Sequence, residues 1–507
     1  MNMKRNWTTR ASLFLVAAIL VVLNLISVNW FGRLDLTDDK AFSLAPASIN
    51  MVQKLKDPVT IKVWFTDNLP APYASNRRFL RDKLNEYRAY GGRKFQYQFS
   101  DTASEADKKA AEEAGIAPVQ VQLVENDNLQ VKSAYMGLTV EFGGKKEVLP
   151  VVQDLAGLEY ELTSAIRKLT VPNLPKIGFL TGHGEPTPDQ SLRFWKAGLE
   201  KSYTTTEVRV DSTGQLSEKP DVLMIVAPRD SLKTAELAAI DDFIMGGGNV
   251  GFLLNAVDAD IQSGIGVANR SGLVGLVRSY GVALQTNLVE DRQSAPITAQ
   301  NGPFTVQIPY QFLPIATKFG EHTAVKGLRE MLMPFVSSID LAKTPQGIRA
   351  TPLVYSSLHS HALTKNFMVR PDPKVTPNPN LSGGPYVLAA AFEGAFPSPY
   401  IPGKTSRLTR ILVVGDGDFI NENIVGQPPE DNLVFALNSL DWLLQDEALA
   451  SIRGKSIEPR TLDPVQDGAK SWIKWFVILF PPLLIIVFGL FRWRMRKNVR
   501  MVVTETT

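Results

Sequence analysis

The sequence has 507 residues, 54 basic and 51 acidic residues, a formal net charge of +3, four histidines and no cysteine. This length predicts roughly three domains, and 44% hydrophobic with 21% charged residues excludes a disordered or collagen-like chain. The missing cysteines exclude a disulfide scaffold, a thiol nucleophile, and iron–sulfur or zinc sites built on cysteine.

The excess of basic residues lies at the two ends of the chain. Residues 1–10 and 492–507 together hold eight basic residues and one acid, a balance of +7, so the region between them is net −4. The net positive charge of the sequence therefore comes from its two tails. A net acidic centre without a patch of interleaved basic and aromatic residues argues against nucleic-acid binding.

An uncharged apolar run begins directly after the first basic tail. Residues 11–28 are long enough to span a bilayer core, and Trp7 and Trp30 flank the run at interface positions. A cleaved signal peptide is the alternative, but the apolar core is long and no A-x-A-like cleavage site follows it. The prediction is an uncleaved transmembrane helix over residues 11–30.

A second apolar run, residues 472–491, precedes the other basic tail. It has one charge, Lys474, which can reach the interface, and Pro481-Pro482, which membrane helices tolerate. A buried core helix is the alternative, and the basic residues of 492–507 argue against it. The positive-inside bias predicts an inner-membrane protein with both tails in the cytoplasm and a large domain in the bacterial periplasm.

The first unit between the two spans covers residues 33–170. A helix over 46–55, with Ser43 as N-cap, is predicted to lead it. From residue 57 onward the hydrophobic patterns predict the order β-α-β-α-β-β-β-α, which is close to that of thioredoxin-like α/β folds. The thiol chemistry of such folds is excluded because the chain has no cysteine.

The second unit covers residues 171–462. Strands predicted at 176–180, 222–226 and 250–254 alternate with helices at 191–201 and 234–245, which predicts a mostly parallel, doubly wound sheet. The alternation of predicted strands and helices stops near 291–385, where we expect an irregular insertion. It resumes with strands at 386–392 and 410–414 and an amphipathic helix at 432–445.

Two pairs of polar residues follow predicted strands of this second unit. His183 and Glu185 come directly after the first strand, and Asp416 and Asp418 come after the last. Open α/β sheets bind ligands at the carboxyl ends of their strands. The first pair could act as acid and base or hold a metal, and the second pair could hold Mg²⁺ or Ca²⁺; structural turns are the alternative for both. We select the four residues as ligand-binding candidates and predict no metal site and no catalytic residue.

Nucleotide motifs do not support a cofactor. Gly246, Gly248 and Gly251 match G-x-G-x-x-G, but the match follows a helix and precedes a strand, the reverse of a dinucleotide site. It is therefore interpreted as a helix C-terminus and turn. The sequence contains no G-x-x-x-x-G-K-[ST], so the chain has no P-loop of its own.

Several short segments, spread over nearly the whole chain, together resemble one family. They are RLDLTDDKAFSL (33–44), KDPVTIKVWF (56–65), GFLTGHGE (178–185), FIMGGGNV (243–250), VGDGDF (414–419), NSLDWL (438–443) and SIRGK (451–455). With these segments the chain resembles the GldG-type family, auxiliary components of ABC transporters named for gliding motility. The resemblance implies a partner permease, a separate cytoplasmic ATPase, and a second unit like a class I glutamine-amidotransferase domain, without the cysteine that such enzymes need.

The leading hypothesis is a non-catalytic, membrane-anchored periplasmic subunit of an ABC transporter complex that binds a substrate or a partner. An envelope hydrolase is one alternative, and it needs the side chains of His183, Glu185, Asp416 and Asp418 within about 5–6 Å of a shared centre for strong charge coupling. The other alternative is a structural scaffold that links the membrane to the cell envelope.

Overall fold

The computed structural model describes residues 43–445, apart from 68, 70–72, 101, 126–127, 153–154, 156, 302–303 and 372–380, together with 449, 452–453, 467–504 and residues 15, 18, 19 and 22. The chain divides into two compact units, Met1–Ser456 and Ile457–Thr507. The predicted first membrane span therefore lies outside the described residues, except for the four isolated helical positions.

Over the described residues from 43 to 170, the chain forms six strands and four helices. In chain order they are α1 (Pro46–Gln53), β1 (Val59–Phe65), α2 (Asn76–Gly91), β2 (Phe95–Ser100), α3 (Glu105–Glu113), β3 (Val119–Glu125), β4 (Asn128–Ala134), β5 (Met136–Phe142), β6 (Lys145–Leu149) and α4 (Leu158–Thr170). A four-stranded sheet has the order β2-β1-β5-β6, and β3 and β4 form a separate hairpin. The pair β1/β2 is parallel, and β5 is antiparallel to both β1 and β6.

Hydrophobic periodicity explains this layer. Val59, Ile61 and Val63 alternate along β1 and are fully buried, and α2 covers them with Leu80 and Tyr87. The predicted N-cap Ser43 is wrong, because α1 begins after Ala45 and has Pro46 at its first position. Proline suits that position because the amide there has no partner within the helix.

The next part of the chain contains the parallel strands. Its elements are β7 (Lys176–Leu180), α5 (Arg193–Leu199), β8 (Thr204–Val208), β9 (Val222–Val226), α6 (Thr234–Met245), β10 (Asn249–Leu253), β11 (Val257–Asp260), β12 (Ile265–Ala268), α7 (Leu273–Ser279), β13 (Ala283–Leu284) and β14 (Leu288–Asp291). Gly246 ends α6, and β10 follows after Gly248, so the glycine run is a helix terminus, as its position in the sequence predicts.

The remaining elements of the first unit are mostly strands. They are β15 (Ser294–Asn301), β16 (Phe304–Ala316), β17 (Lys318–Phe319), β18 (Met331–Leu332), β19 (Ile339–Asp340), β20 (Arg349–Tyr355), β21 (Ser360–Leu363), β22 (Val387–Gly394), β23 (Thr409–Val414), α8 (Glu422–Val425) and α9 (Glu430–Leu443). The description of 291–385 as an irregular insertion needs correction. Strands form there, and β17, β19 and β20 belong to the largest sheet of the structure, which we call the main sheet.

The main sheet has a parallel half and an antiparallel half. Five parallel strands have the spatial order β8-β7-β9-β10-β23, and the antiparallel β22 continues the sheet from β23. Counted along the chain, the parallel half has the order 2-1-3-4-5, one of the two common doubly wound orders. Helices α5 and α9 pack on one face, and α6 and α7 pack on the other.

The C-terminal unit contains helix α10 (Asp467–Thr504), which includes Pro481 and Pro482. Within the described residues it is the one helix long and apolar enough to cross a membrane, over Lys474–Arg494 with a mean hydropathy of 2.2. The predicted span at 472–491 overlaps it closely. This helix is consistent with membrane association.

Candidate functional site

The strands of the parallel half all end at one edge of the main sheet, which we call the carboxyl edge. His183 and Glu185 follow β7, Arg229 follows β9, Asn255 follows β10, and Asp416 follows β23. The chain changes direction between β7 and β9, where the second strand lies on one side of the first and the third lies on the other. Doubly wound sheets commonly bind ligands at this switch point.

The His183 loop, residues 181–185, lies at the switch point and is held by carboxylates. His183 Nδ1 is 3.2 Å from Glu185 Oε1, and Nε2 is 3.3 Å from Glu236 Oε2 on the first turn of α6. The His183 amide donates to Glu185 at 2.6 Å. The pKa of Glu236 is lowered, first of all by the hydrogen bond from the Lys233 backbone amide. Burial acts in the opposite direction, and the contact with His183 lowers the pKa further.

Two glycines give the His183 loop its shape. Gly182 and Gly184 have φ angles of +122° and +76°, which residues with a Cβ rarely adopt. The turn directs the His183 carbonyl toward the loop after β9, where it accepts hydrogen bonds from the amides of Arg229 and Asp230, both at 2.9 Å. The loops after β7 and β9 are therefore joined through backbone.

The Asp416 loop, residues 415–419, is buried and hydrogen-bonded both internally and to neighbouring asparagines. The Asp418 carboxylate accepts bonds from the Asn255 and Asn421 amides at 2.7 and 2.8 Å, and the Asp418 amide donates to Asp416 Oδ1 at 2.7 Å. Asp416 is fully buried, and its Oδ2 has no hydrogen-bond partner among the described residues. Burial, followed by the charge of Asp418, raises the pKa of Asp416 well above its ordinary value.

Backbone packing explains both glycines of the GDGD segment. A Cβ on Gly417 would lie 2.6 Å from the Leu253 carbonyl oxygen and 2.7 Å from the Ala227 Cβ. A Cβ on Gly415 would lie 2.0 Å from the Ser337 carbonyl oxygen. The loop after β23 thus needs two residues without side chains, which is a structural role.

The structure brings the four selected residues together as two pairs. His183 contacts Glu185, and Asp416 contacts Asp418, but β9 and β10 lie between the strands that carry the pairs. Three strand spacings correspond to about 14 Å. The hydrolase alternative requires all four side chains within about 5–6 Å of one shared centre for strong charge coupling. The separation of the two pairs is much larger than that distance.

Residues between the two pairs were missed by the sequence reasoning. The Asn269 amide donates to both carboxylate oxygens of Asp258 at 3.0 and 3.1 Å. Burial raises the pKa of Asp258, and the charges of Arg229 and Asp418 act on it with opposite signs. Asp258 is therefore coupled electrostatically to Arg229 in the loop after β9 and to Asp418 in the Asp416 loop. Asn255 directly follows a predicted strand, as His183 and Asp416 nearly do, so its position in the sequence was a signal that it belongs to the candidate site.

Near the C-terminal end of the first unit, Arg453 forms a buried ion pair. Arg453 Nη1 is 3.0 Å from Asp441 Oδ2 and also donates to Asn438, while Nη2 donates to the Tyr160 hydroxyl at 2.9 Å. Tyr203 donates to the same Asp441 carboxylate. Asn438 and Asp441 of the segment NSLDWL therefore meet Arg453 of the nearby segment SIRGK and the distant Tyr160 in one cluster, the exit cluster.

A second buried cluster, the entry cluster, holds the start of α1. The Glu159 carboxylate accepts bonds from the Ala45 amide at 2.5 Å and the Ser48 hydroxyl at 2.7 Å. Glu86 accepts from the Leu44 amide at 3.0 Å. Lys83 Nζ lies 3.7 Å from Glu159 and 3.9 Å from Glu86, so one cation is shared by two buried carboxylates.

Comparison with known proteins gives two family matches in the first unit, one over the domain with the parallel strands and one over the domain that precedes it. The family described as an ABC-type uncharacterized transport system (ABC_transp_aux) matches residues 174–439, and a domain of unknown function (DUF7088) matches residues 38–141. An uncharacterized protein of Borreliella burgdorferi is 24% identical over 524 residues, which cover 98% of this chain and all of that relative.

The solved structures that align with this chain are only distantly similar to it in sequence and in fold. The mmIFT52 N-terminal domain aligns at 10% identity and a TM-score of 0.35, over 53% of this chain and 97% of that one. A ThuA-like protein from Parabacteroides merdae aligns at 13% identity and a TM-score of 0.23, over 58% and 94%. Neither likeness is close enough to assign a fold. The match at residues 174–439 spans just over half of the sequence, and the chain belongs to the ABC_transp_aux family of ABC-type transport systems.

Proposed function

We propose that this protein is a non-catalytic, membrane-anchored auxiliary subunit of an ABC transporter complex, with its large domain in the periplasm. Its partners are a permease within the lipid bilayer and a cytoplasmic ATPase. The observation that carries the proposal is the family match over residues 174–439. The GldG-type branch, two membrane helices and cytoplasmic termini are part of the same proposal.

The arrangement at the carboxyl edge supports binding over catalysis. The His183–Glu185 and Asp416–Asp418 pairs are buried and used in hydrogen bonds that hold their own loops. General acid–base chemistry needs two groups directed at one substrate atom. We propose that the His183 loop, at the switch point, contacts a ligand or partner, and that Asp416 and Asp418 maintain the shape of the neighbouring surface.

The two buried clusters support a role that depends on the membrane. The entry cluster holds the chain shortly after the proposed first span, and the exit cluster holds it shortly before the second. Their cost in desolvation is high, and buried ion pairs are weak sources of net stability. We propose that their role is to fix the domain relative to both connectors, so that movement of the permease helices reaches the domain.

The finer fold assignments belong to the proposal as well. The order β2-β1-β5-β6 supports a thioredoxin-like domain over residues 33–170. The 2-1-3-4-5 order of the parallel half supports an amidotransferase-like domain over residues 171–462. Without cysteine, neither unit has the nucleophile of the enzymes that share these folds.

Affinity purification of the tagged full-length protein from its native membranes in mild detergent tests the proposal. We expect mass spectrometry to find an ABC permease and an ABC ATPase in amounts comparable to the tagged chain. A matched control uses an unrelated tagged protein with one transmembrane helix. The proposal is wrong if the two transporter subunits are no more abundant with this chain than with the control.

A further inference from the structure

A cavity of about 290 Å³ lies at the opposite edge of the main sheet from His183. Its floor is formed by β20, β22 and the beginning of β23, and its wall is formed by residues 321–323 and Trp442 of α9. Since β23 runs from Arg410 toward Asp416, this cavity and the carboxyl edge are at different ends of the same strand. The candidate site described above does not use it.

A row of three charged residues crosses the cavity floor. Arg349 on β20 is the register partner of Glu393 on β22, which in turn is the register partner of Arg410 on β23. Glu393 is therefore flanked by an arginine on each neighbouring strand. Arg410 Nε is 3.2 Å from Glu393 Oε1, and Arg410 Nη1 donates to the Trp442 carbonyl at 2.6 Å. Within the described part of the chain, Arg349 forms no ion pair.

His322 adds a neutral donor to the wall. Burial, followed by the charges of Arg410 and Arg349, lowers the pKa of His322 to about 4, so the ring is neutral at pH 7. Its Nδ1 accepts a hydrogen bond from the Ala324 amide at 3.1 Å, which places the ring proton on Nε2. The Trp442 ring packs against His322 with centroids 5.2 Å apart and fixes the orientation of the imidazole.

We propose that this cavity binds a small oxyanion group, a carboxylate or a phosphate, with Arg349 as its principal charged ligand. Thr323 and Thr351 line the same space, and threonine hydroxyl groups can donate to an anion. Guanidinium groups suit planar or tetrahedral oxyanions because they donate two parallel hydrogen bonds. Glu321 is an exposed residue of the cavity lining, and its negative charge opposes anion binding and limits affinity.

Isothermal titration of the full-length protein in detergent at low salt tests this proposal, with inorganic phosphate and N-acetylglycine as the two probes. We expect saturable binding of at least one probe, and the probe that binds identifies the preferred oxyanion. The substitution R349M should weaken binding about tenfold or more, because a hydrogen-bonded charge is lost. The substitution E321Q should strengthen binding, because a repulsive charge is removed.

R209M is the matched control, since Arg209 is an exposed arginine that is remote in sequence from the cavity and pairs with Glu207 at 3.6 Å. It should bind like the unsubstituted protein. Circular dichroism verifies that each variant is folded, and the exposed position of Arg349 favours folding of R349M. The proposal is overturned if neither probe binds saturably, or if R349M and R209M bind equally well.

Discussion

Glu159 and Tyr160, which are adjacent on α4, hold the two ends of the large domain. Glu159 accepts hydrogen bonds from Ala45 and Ser48 at the beginning of α1, and Tyr160 accepts one from Arg453 near the end of the first unit. The Arg453 guanidinium also lies over the Tyr160 ring at 4.5 Å. One helical turn therefore contacts the connectors that lead toward both proposed membrane spans.

Removing Arg453 should destabilise the domain strongly. In R453M the Asp441 carboxylate stays buried without its cation, and breaking a buried pair in this way costs about 3–5 kcal/mol. We expect the thermal unfolding of the full-length protein in detergent to shift downward by several degrees. The double variant R453M/D441N should recover part of the loss, since it removes the buried charge that has lost Arg453. A loss no larger than that of R209M would contradict this account of the exit cluster.

Neutralising Glu159 should weaken the contacts that hold the beginning of α1 in the entry cluster. The E159Q side chain loses the charge that attracts Lys83 and that strengthens the bonds from Ala45 and Ser48. Hydrogen exchange of the amides over residues 44–53 should become faster. E161Q is the matched control on the same helix, because Glu161 forms only a partly exposed pair with Lys201 at 3.2 Å. Equal exchange in both variants would show that Glu159 does not hold α1.

The stability of the protein should depend on the charge of Asp416. The native pKa of this carboxyl is raised, mainly by burial, so between the ordinary value near 4 and the native value the folded state binds more protons than the unfolded state. This group therefore lowers stability as pH rises. In D416N the effect disappears, and the melting temperature of the variant relative to the unsubstituted protein should increase from pH 5 to pH 8.

D418N is the informative comparison for that experiment. The Asp418 carboxylate accepts amide hydrogen bonds from Asn255 and Asn421, and an amide group at position 418 offers one acceptor oxygen in place of two. We expect D418N to lower the melting temperature at pH 5, where D416N changes it little. Parallel melting curves for D416N and the unsubstituted protein at every pH would contradict the raised pKa of Asp416.

Gly417 should not tolerate a methyl group. In G417A the new Cβ meets the Leu253 carbonyl and the Ala227 Cβ, and overpacking of this kind costs about 1–3 kcal/mol or more. G275A is the control, since Gly275 lies on α7 with open space where its Cβ would be, and alanine favours helices. Thermal unfolding should show a lower midpoint for G417A and an unchanged or higher one for G275A. Equal midpoints would contradict the close approach.

Local patterns were sufficient to predict the strands and helices that carry strong hydrophobic periodicity. Strands β7 and β9 and helix α6 begin and end at the predicted residues, because short apolar or amphipathic runs are bounded there by proline, glycine or polar residues. The prediction was wrong over 291–385. Strands β15 and β16 contain Pro296, Pro309 and Pro314, and proline is disfavoured inside strands, although apolar residues do alternate over 304–312 of β16. Strand β20 is stabilised by pairing with the distant β22.

The candidate site was predictable only as separate loops. The position of His183 after β7 follows from the sequence, but its distance from Asp416 depends on the spatial order of four strands. The contacts of Arg453 with Asp441 and Tyr160 join segments 12 and 293 residues apart. No local pattern specifies such contacts, because they depend on how helices α4 and α9 pack.

ATPase activity of the purified assembly tests the central claim most directly. The chain has no P-loop of its own, so hydrolysis of ATP by a P-loop enzyme in the material that elutes with the tagged full-length protein comes from a partner. The account predicts that this material hydrolyses ATP and that the activity and the chain migrate together on size exclusion. The chain migrating separately from all ATPase activity, while intact and folded, would contradict a role in an ABC transporter complex.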